Sequence, residues 1–281
     1  MSVAERAQPR GKAISDGDVP RRAEESMGIT VPSRVILGTR VDATSYDEAA
    51  GIIATWARNA ESRYVSVTTV HGIIEAHDHE DFRRIMNESD LVTSDGMPLV
   101  WGLKLLGIPT ATRVYGPYLT PKICTVAERK GIPVGFYGGS PESLAGMIAN
   151  LRVRFPHLAI VYQYSPPFRP LMEAESAHEI AEIANSGARI LFVGLGCPKQ
   201  ERWMAARRGS IPATMVGVGA AFDFLAGTKR QAPAFMQRIG LEWFFRLVTE
   251  PRRLWRRYLS TNPRFIGLFA AQLLAHRRGQ S

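Results

Sequence analysis

The segment Ala188-Arg-Ile-Leu-Phe-Val193, followed directly by Gly194-Leu-Gly-Cys-Pro-Lys-Gln-Glu-Arg-Trp203, decides the fold. The first part is a short apolar run that ends at a glycine, which is typical of a buried strand. Residues 198–207 predict a helix, because proline suits the first helical turn. A strand, a glycine turn and a helix N-terminus together form a place where backbone amides can bind an anion. We therefore expect a phosphorylated ligand here. The candidate contacts in this turn are Gly196, Lys199, Gln200 and Glu201.

Short apolar runs and longer segments with helical spacing alternate along the chain on both sides of this segment. The predicted strands are residues 34–37, 64–69, 90–93, 133–137, 158–164, 188–193 and 214–218. The predicted helices follow the capping box Ser45-Tyr-Asp-Glu48, start at about residue 70, and cover residues 98–106, 117–130, 141–155, 173–185, 198–207, 241–247 and 251–260. This alternation predicts an α/β fold, a Rossmann-like parallel sheet with helices on both faces. In such sheets ligands bind beyond the carboxyl ends of the strands.

Three segments differ in composition. Residues 1–30 mix proline, glycine, serine and charge without periodicity, which predicts a disordered N-terminal extension. Residues 31–240 are the predicted α/β domain, and residues 241–281 are a predicted helical appendage. Of the net charge of +9, this appendage carries +6 through eight arginines and two glutamates, which leaves +3 for the rest. Such asymmetry indicates an anionic partner, either nucleic acid or a lipid surface.

The helix predicted at residues 251–260 is basic and amphipathic. Its four arginines span about 140° of a helical wheel, and apolar or aromatic residues take the other side. The residues expected to contact a membrane surface or a diphosphate are Arg252, Arg253, Trp255, Arg256 and Arg257. This form is expected at an anionic membrane interface. The apolar stretch 265–275 is shorter than the ~20 residues that a spanning helix needs.

The remaining composition points to a reducing compartment. Cys124 and Cys197 have neither metal nor redox spacing, and the polar residues 1–27 show no signal peptide. The cytoplasm is therefore the expected location. The literal Asp16-Gly-Asp18 lies in the predicted extension and is a weak candidate for a metal site.

Several predicted strands end in residues that can carry chemistry. Thr68 and Thr69 close the second strand, and Gly138-Gly-Ser140 ends the fourth and opens a helix that can cradle phosphate. Asp95 ends the third strand and is followed by Gly96. A carboxylate at this position is a candidate general base, although Asp-Gly can equally be a simple turn.

Six motifs occur in order within about residues 35–260. They are Thr68-Thr-Val-His-Gly-Ile-Ile-Glu-Ala-His77, Asp90-Leu-Val-Thr-Ser-Asp-Gly-Met-Pro-Leu-Val-Trp101, Arg113-Val-Tyr-Gly116, Phe136-Tyr-Gly-Gly-Ser140, Gly194-Leu-Gly-Cys-Pro-Lys-Gln-Glu201 and Pro251-Arg-Arg-Leu-Trp-Arg-Arg257. Together they resemble the bacterial WecG/TagA/CpsF glycosyltransferase family (glycosyltransferase family 26).

The resemblance implies an inverting transfer of a sugar from a UDP-sugar to a polyprenyl-diphosphate-linked acceptor, with no divalent metal or other cofactor. It places Asp95 at the catalytic base, Arg113 at an arginine that assists the substrate phosphate or leaving group, and Gln200 at a glutamine of the active site. Many members have asparagine where this chain has Thr69, so the identity of the sugar stays open. The residues expected to bind substrate are Thr68, Thr69, Gly138, Gly139, Ser140, Gly196, Lys199, Gln200 and Glu201.

The resemblance also implies a place in the cell and a set of partners. We expect peripheral attachment to the inner face of the plasma membrane, a role in surface polysaccharide synthesis, with exopolysaccharide preferred, and no nucleic-acid partner. A homo-oligomer stays open.

Two other functions remain as alternatives. A dinucleotide-dependent oxidoreductase is suggested by Gly194-x-Gly196 and Gly217-x-Gly219, although neither completes Gly-x-Gly-x-x-Gly. A nucleic-acid-binding protein would use the basic tail, and its affinity would fall steeply with salt.

Overall fold

The central layer of the protein is a sheet of eight strands, and the computed structural model describes residues 31–169 and 172–279. The predicted extension, residues 1–30, lies outside the described residues. The strands are β1 Ser33–Ile36, β2 Thr39–Asp42, β3 Arg63–Thr68, β4 Leu91–Ser94, β5 Val134–Gly138, β6 Ile160–Tyr164, β7 Ile190–Gly194 and β8 Thr214–Gly217. Their spatial order is β1-β2-β4-β3-β8-β7-β5-β6, and the pairs from β2 to β6 in this order are parallel.

Helices cover both faces of this sheet. They are α1 Tyr46–Arg58, α2 Val70–Asp78, α3 Glu80–Glu88, α4 Met97–Leu105, α5 Gly116–Lys130, α6 Pro141–Arg154, α7 Glu173–Asn185, α8 Lys199–Arg207, α9 Ala221–Ala226, α10 Ala234–Arg238, α11 Glu242–Thr249 and α12 Pro251–Gly279. Successive side chains of a strand point to opposite faces. Val65 and Val67 of β3 therefore pack with α1, α5, α6 and α9, whereas Tyr64 packs on the side of α8. The predicted α/β fold with a Rossmann-like sheet is confirmed.

The edge strand β1 departs from the all-parallel prediction. It pairs antiparallel with β2, a strand that the sequence did not reveal. Leu37 and Gly38 connect the two strands with φ angles of 49° and 84°. Two successive residues with positive φ form the primed turn that fits the twist of a tight hairpin. The sheet is therefore mixed at this one edge.

The last helix is much longer than predicted. The sequence indicated an end at Ser260, but α12 continues through Pro263 to Gly279. Tertiary contacts outweigh the local cost of proline here, because Phe265 and Phe269 are buried in the core formed with α2 and α4. No helix in the described part of the chain combines the length and the apolar character needed to span a bilayer.

Polar contacts also attach α12 to the body of the protein. The Gln272 amide donates to the Val35 carbonyl (2.7 Å) and accepts the N–H of Leu37 (3.0 Å), so it joins α12 to the first hairpin. Arg264 forms a bidentate ion pair with Asp78 at the end of α2 (2.7 and 2.8 Å).

Candidate active site

Asp95 lies at the carboxyl edge of the sheet, directly after β4. Its N–H donates to the Thr68 carbonyl at the end of β3 (2.8 Å), which continues the pairing of the two strands by one residue. Gly96 follows as the N-cap of α4. Asp95 is therefore fixed at the position where open α/β sheets bind their ligands.

The loop between α4 and α5 brings Arg113 to Asp95. The Val114 N–H donates to the Ser94 carbonyl (2.9 Å), and the Ser94 hydroxyl donates to the Thr112 carbonyl (3.1 Å). Arg113 Nε then donates to the backbone carbonyl of Asp95 (2.5 Å). The loop thus runs alongside the end of β4 and presents the guanidinium to the aspartate.

A second carboxylate completes an ion cluster. Arg113 Nη2 lies 3.3 Å from Asp95 Oδ1 and 2.6 Å from Glu242 Oε2, and Glu242 is the first residue of α11. The three side chains are only 13–16% exposed. The Arg113 guanidinium also lies against the Tyr115 ring, with Cζ 4.2 Å from the ring centroid. The carboxylates of Asp95 and Glu242, both mostly buried, therefore share the positive charge of Arg113.

This environment makes Asp95 a stronger base than an ordinary aspartate. Burial raises the pKa of Asp95 to about 6; Arg113 lowers it and Glu242 raises it. Burial alone would lower the pKa of Arg113, but Asp95 and Glu242 outweigh burial and raise it. Asp95 is consequently ionised near neutral pH yet holds a proton more tightly than usual, which suits a general base.

A cavity of about 600 Å³ lies above the cluster, between α4, α11 and α12. Asp95, Arg113 and Glu242 line it. Apolar side chains line it as well: Met97, Trp101, Leu105, Ile239, Leu241, Trp243, Phe265, Ile266, Phe269 and Leu273. The cavity can therefore take a ligand with both a charged and an apolar portion.

Two helices begin at this cavity without a side-chain cap. Thr69 is the N-cap of α2 and Gly96 that of α4, and neither makes a capping hydrogen bond through its side chain. Unpaired amides and the helix dipole favour an anion at such positions. Arg246 and Arg257 also line the cavity and add positive charge.

His71, on the first turn of α2, lines the same cavity. Its Nδ1 is buried and has no hydrogen-bond partner among the described residues. Burial, followed by the charge of Arg257, lowers the pKa of His71 to about 4, so the imidazole is neutral at pH 7.

The two predicted glycine turns lie side by side, because β5 and β7 are neighbouring strands. The strands β3 and β8 separate them from β4, which Asp95 directly follows. Gly138 ends β5 and Gly194 ends the neighbouring β7, and the Gly139 N–H donates to the Gly194 carbonyl (3.0 Å). The Ser140 hydroxyl caps α6 by accepting the N–H of Ser143 (3.1 Å). A Cβ on Gly196 would meet open space, so this glycine faces the surface of the turn.

Gln200 and Glu201 lie beneath the second turn rather than at its mouth. The Gln200 carbonyl oxygen accepts the N–H groups of Gly196 (3.2 Å) and Gly219 (3.0 Å), so it joins the turn after β7 to the turn after β8. Its amide nitrogen donates to Glu201 (2.9 Å). Lys199, in contrast, is exposed. None of these three residues lines the cavity at Asp95.

The other predicted residues divide between the interior and the surface. Thr68 is buried below the cavity, where a Cβ on Gly72 would come within 2.3 Å of its hydroxyl, so glycine permits the close approach of α2. Arg252, Arg253, Arg256 and Arg257 are all exposed on α12, and Arg257 also lines the cavity. Trp255 is exposed beside these arginines rather than opposite to them, and Leu254 is the buried residue of this turn.

Reasoning from sequence missed Glu242, Arg246 and Tyr115. A signal existed for Glu242, because it is one of only two acidic residues in the basic stretch 241–281. An isolated acid in a basic segment points to an internal ion pair. Its partner could not be read from the sequence, since Arg113 lies 129 residues away.

An open α/β sheet with a carboxylate, an arginine and helix N-termini at its carboxyl edge defines an enzyme-type site for an anionic substrate. The sequence matches the Glycosyl transferase WecG/TagA/CpsF family over residues 34–279. It is also 32% identical, over 209 residues, to the N-acetylglucosaminyldiphosphoundecaprenol N-acetyl-beta-D-mannosaminyltransferase of Bacillus spizizenii (strain W23). That match covers 74% of this chain and 77% of the relative.

The chain belongs to the WecG/TagA/CpsF glycosyltransferase family, which confirms the resemblance seen in its motifs. Membership selects glycosyl transfer among the three classes of function that the sequence left open.

Proposed function

We propose that this glycosyltransferase moves a sugar, with inversion, from a UDP-sugar to a polyprenyl-diphosphate-linked acceptor. The name of the Bacillus spizizenii relative describes an acceptor of this kind, N-acetylglucosaminyl-diphospho-undecaprenol, and transfer of an N-acetyl-β-D-mannosaminyl group. The chief support in the structure is the cavity at which Asp95 and Arg113 meet and which apolar side chains also line. A lipid-linked diphosphate needs both kinds of surface.

Asp95 is the proposed general base. It takes the proton of the acceptor hydroxyl while the hydroxyl oxygen bonds to the anomeric carbon of the donor sugar. The bond between that carbon and the diphosphate oxygen breaks on the opposite side, and UDP leaves with the electron pair. The raised pKa of Asp95 matches this task, because a base with a pKa near the working pH combines ionisation with proton affinity.

Positive groups of the protein balance the charge on the two diphosphates in this proposal. Arg113, Arg246 and Arg257 line the cavity, and the uncapped starts of α2 and α4 face it. The start of α8, which follows the turn after β7 and has no side-chain cap, supplies further amides for UDP. Fixed donors of this kind stabilise charge that develops in the transition state. We therefore propose that the reaction needs no divalent metal.

The membrane is the proposed working surface. Arg252, Arg253 and Arg256 are exposed on α12, and Trp255 (46% exposed) and Leu259 (65%) lie among them. Arginines with exposed aromatic and aliphatic residues fit an anionic interface. Attachment through this face would bring the apolar wall of the cavity close to the lipid that carries the acceptor.

The decisive experiment measures UDP release from a panel of UDP-sugars, including UDP-N-acetylmannosamine, with a short-chain polyprenyl-diphosphate-N-acetylglucosamine acceptor and EDTA. Release that depends on the acceptor, from one donor, is the expected result, and omission of the acceptor is the control. Release only after Mg²⁺ is added would overturn metal independence and leave the transfer intact. No release from any donor, together with no binding of UDP, would overturn the proposed function.

A further inference from the structure

Glu242 makes the shortest of the side-chain contacts to Arg113. Arg113 Nη2 lies 2.6 Å from Glu242 Oε2 but 3.3 Å from Asp95 Oδ1. Glu242 begins α11, so this contact joins the C-terminal helices to the sheet end that bears Asp95. The Glu242 side chain is 13% exposed, which removes most of the water that would weaken the pair.

We propose that Glu242 is a positioning residue of the reaction: from the start of α11 it engages the Arg113 guanidinium and thereby prevents Arg113 from neutralising Asp95. This inference rests on the proposed function, in which Asp95 is the base.

The reason lies in the division of one positive charge between two carboxylates. An arginine paired with Asp95 alone would stabilise the carboxylate and make it a weaker base. Glu242 competes for the same nitrogen atom and adds a second negative charge nearby. Asp95 therefore keeps a higher affinity for the proton that it removes from the acceptor hydroxyl.

Other charged and titratable groups around Asp95 belong to five parts of the structure. They are Tyr46 on α1, His71 on α2, Arg113 and Tyr115 in the loop before α5, Arg246 on α11, and Arg257 and Tyr258 on α12. Burial raises the pKa of Tyr46, Tyr115 and Tyr258, and lowers that of His71. These four groups therefore keep one charge state between pH 5 and 8, whereas Asp95 titrates in this range.

The test is the pH profile of kcat/KM for Glu242→Gln. Loss of the negative charge should move the acid limb of the profile, set by Asp95, to lower pH by about one unit. The plateau rate should fall several-fold, because a weaker base removes the proton less well. Glu250→Gln is the matched control, since Glu250 also lies in the C-terminal helical segment but pairs with Arg253 and Lys229. Its acid limb should stay at the wild-type pH.

A second readout does not depend on turnover. The Asp95 carboxyl resonance is identified by ¹³C NMR as the signal that Asp95→Asn removes, and is titrated in the wild type, Glu242→Gln and Glu242→Asp. The Asp95 pKa should fall in Glu242→Gln and stay within a few tenths of a unit in Glu242→Asp, which keeps the charge. An unchanged Asp95 pKa in a folded Glu242→Gln would overturn the inference. A wild type that titrates as expected but transfers no sugar would instead refute the proposed function.

Discussion

The carboxyl end of β4 was predicted to carry the catalytic base and the paired ends of β5 and β7 to bind substrate, and the two regions are built differently. At β4, charged side chains share a cavity, and two helices begin there without caps. At β5 and β7, glycines let backbones meet: a Cβ on Gly138 would lie 2.7 Å from the Gly194 carbonyl carbon, and one on Gly194 would lie 3.0 Å from the Phe222 ring.

The difference shows that a glycine-rich strand end has two separate uses. Gly138 and Gly194 are required by close packing, whatever ligand is bound, whereas Gly196 adopts a φ of +77° in a turn that faces open space. A glycine motif alone does not distinguish a packing joint from a phosphate cradle. Polar groups that converge on a cavity are the stronger sign of a site.

The largest expected effect on the rate of transfer concerns the β4 region. Asp95→Asn should lower the rate of transfer by ~10²-fold or more, because the amide cannot accept the proton, and should leave UDP binding nearly intact. Asp47→Asn on α1, where Asp47 is 80% exposed and pairs with Lys122, is the matched control. Steady-state kinetics and calorimetric UDP titration measure the two quantities. A near-normal rate for Asp95→Asn would remove Asp95 from the role of base.

The packing role of the β5–β7 region can be tested through stability. Gly138→Ala should lower the free energy of unfolding by about 4 kcal/mol, because Gly138 has a φ of +119° and the new methyl group meets the Gly194 backbone. Gly131→Ala, with a φ of +63° and open space around its Cβ, should cost only about 1 kcal/mol. Urea unfolding measures both. If Gly138→Ala kept full stability and lost UDP binding, the region would be a cradle rather than a packing joint.

Each region also contains a mostly buried carboxyl group, Asp95 after β4 and Glu201 after β7, and their environments can be compared. Burial raises the pKa of Glu201 to about 7 from 4.5, but among the described residues no cation pairs with it as Arg113 pairs with Asp95. Between pH 4.5 and pH 7, Glu201 has lost its proton in the unfolded chain but keeps it in the folded chain. Stability should therefore fall as pH rises from about 4.5 to 7, by about 3 kcal/mol at 1.4 kcal/mol per pKa unit.

Glu201→Gln should abolish most of this dependence, because the amide does not titrate. The variant should gain stability relative to the wild type as pH rises, which thermal unfolding at pH 5 and pH 8 would reveal. Parallel pH curves for the two proteins would show that Glu201 is ionised in the fold.

The smallest effect is expected at the surface outside both regions. Arg252→Ala with Arg256→Ala should weaken binding to anionic vesicles by about 1 kcal/mol for each arginine. Arg129→Ala with Lys130→Ala on α5, which packs against the other face of the sheet, is the matched control. Co-sedimentation with phosphatidylglycerol vesicles and with phosphatidylcholine vesicles measures the difference. Equal losses in the two double variants would place the membrane contact elsewhere.

Local signals predicted most of the fold. The capping box at Ser45 opens α1 as expected, and residues 173–185 form α7 with the predicted bounds. The strand β2, Thr39–Asp42, was missed because it is short and three of its four residues are polar. It is held by pairing with β1 and β4 rather than by its own pattern. The extension of α12 beyond Pro263 was missed for the same kind of reason, since distant contacts stabilise it.

Local sequence patterns likewise predicted only part of the candidate site. Asp95 and Arg113 lie in motifs that could be read in the chain, and the structure brings them together. Their contact with Glu242 depends on how α11 packs, which no local pattern encodes. The burial that sets the pKa of Asp95 has the same origin, because α11 and α12 cover the end of the sheet.

The stacked rings of Phe265 and Phe269, with centroids 5.6 Å apart, belong both to the buried core and to the cavity wall. Binding of a ligand in the cavity and docking of α12 onto the protein are therefore thermodynamically coupled. A lipid that fills the cavity only when α12 is in place stabilises the native state by RT ln(1 + [L]/Kd), about 2.7 kcal/mol at a hundredfold excess over Kd. The melting temperature of the protein thus becomes a screen for acceptor-like lipids that needs no donor sugar and no turnover.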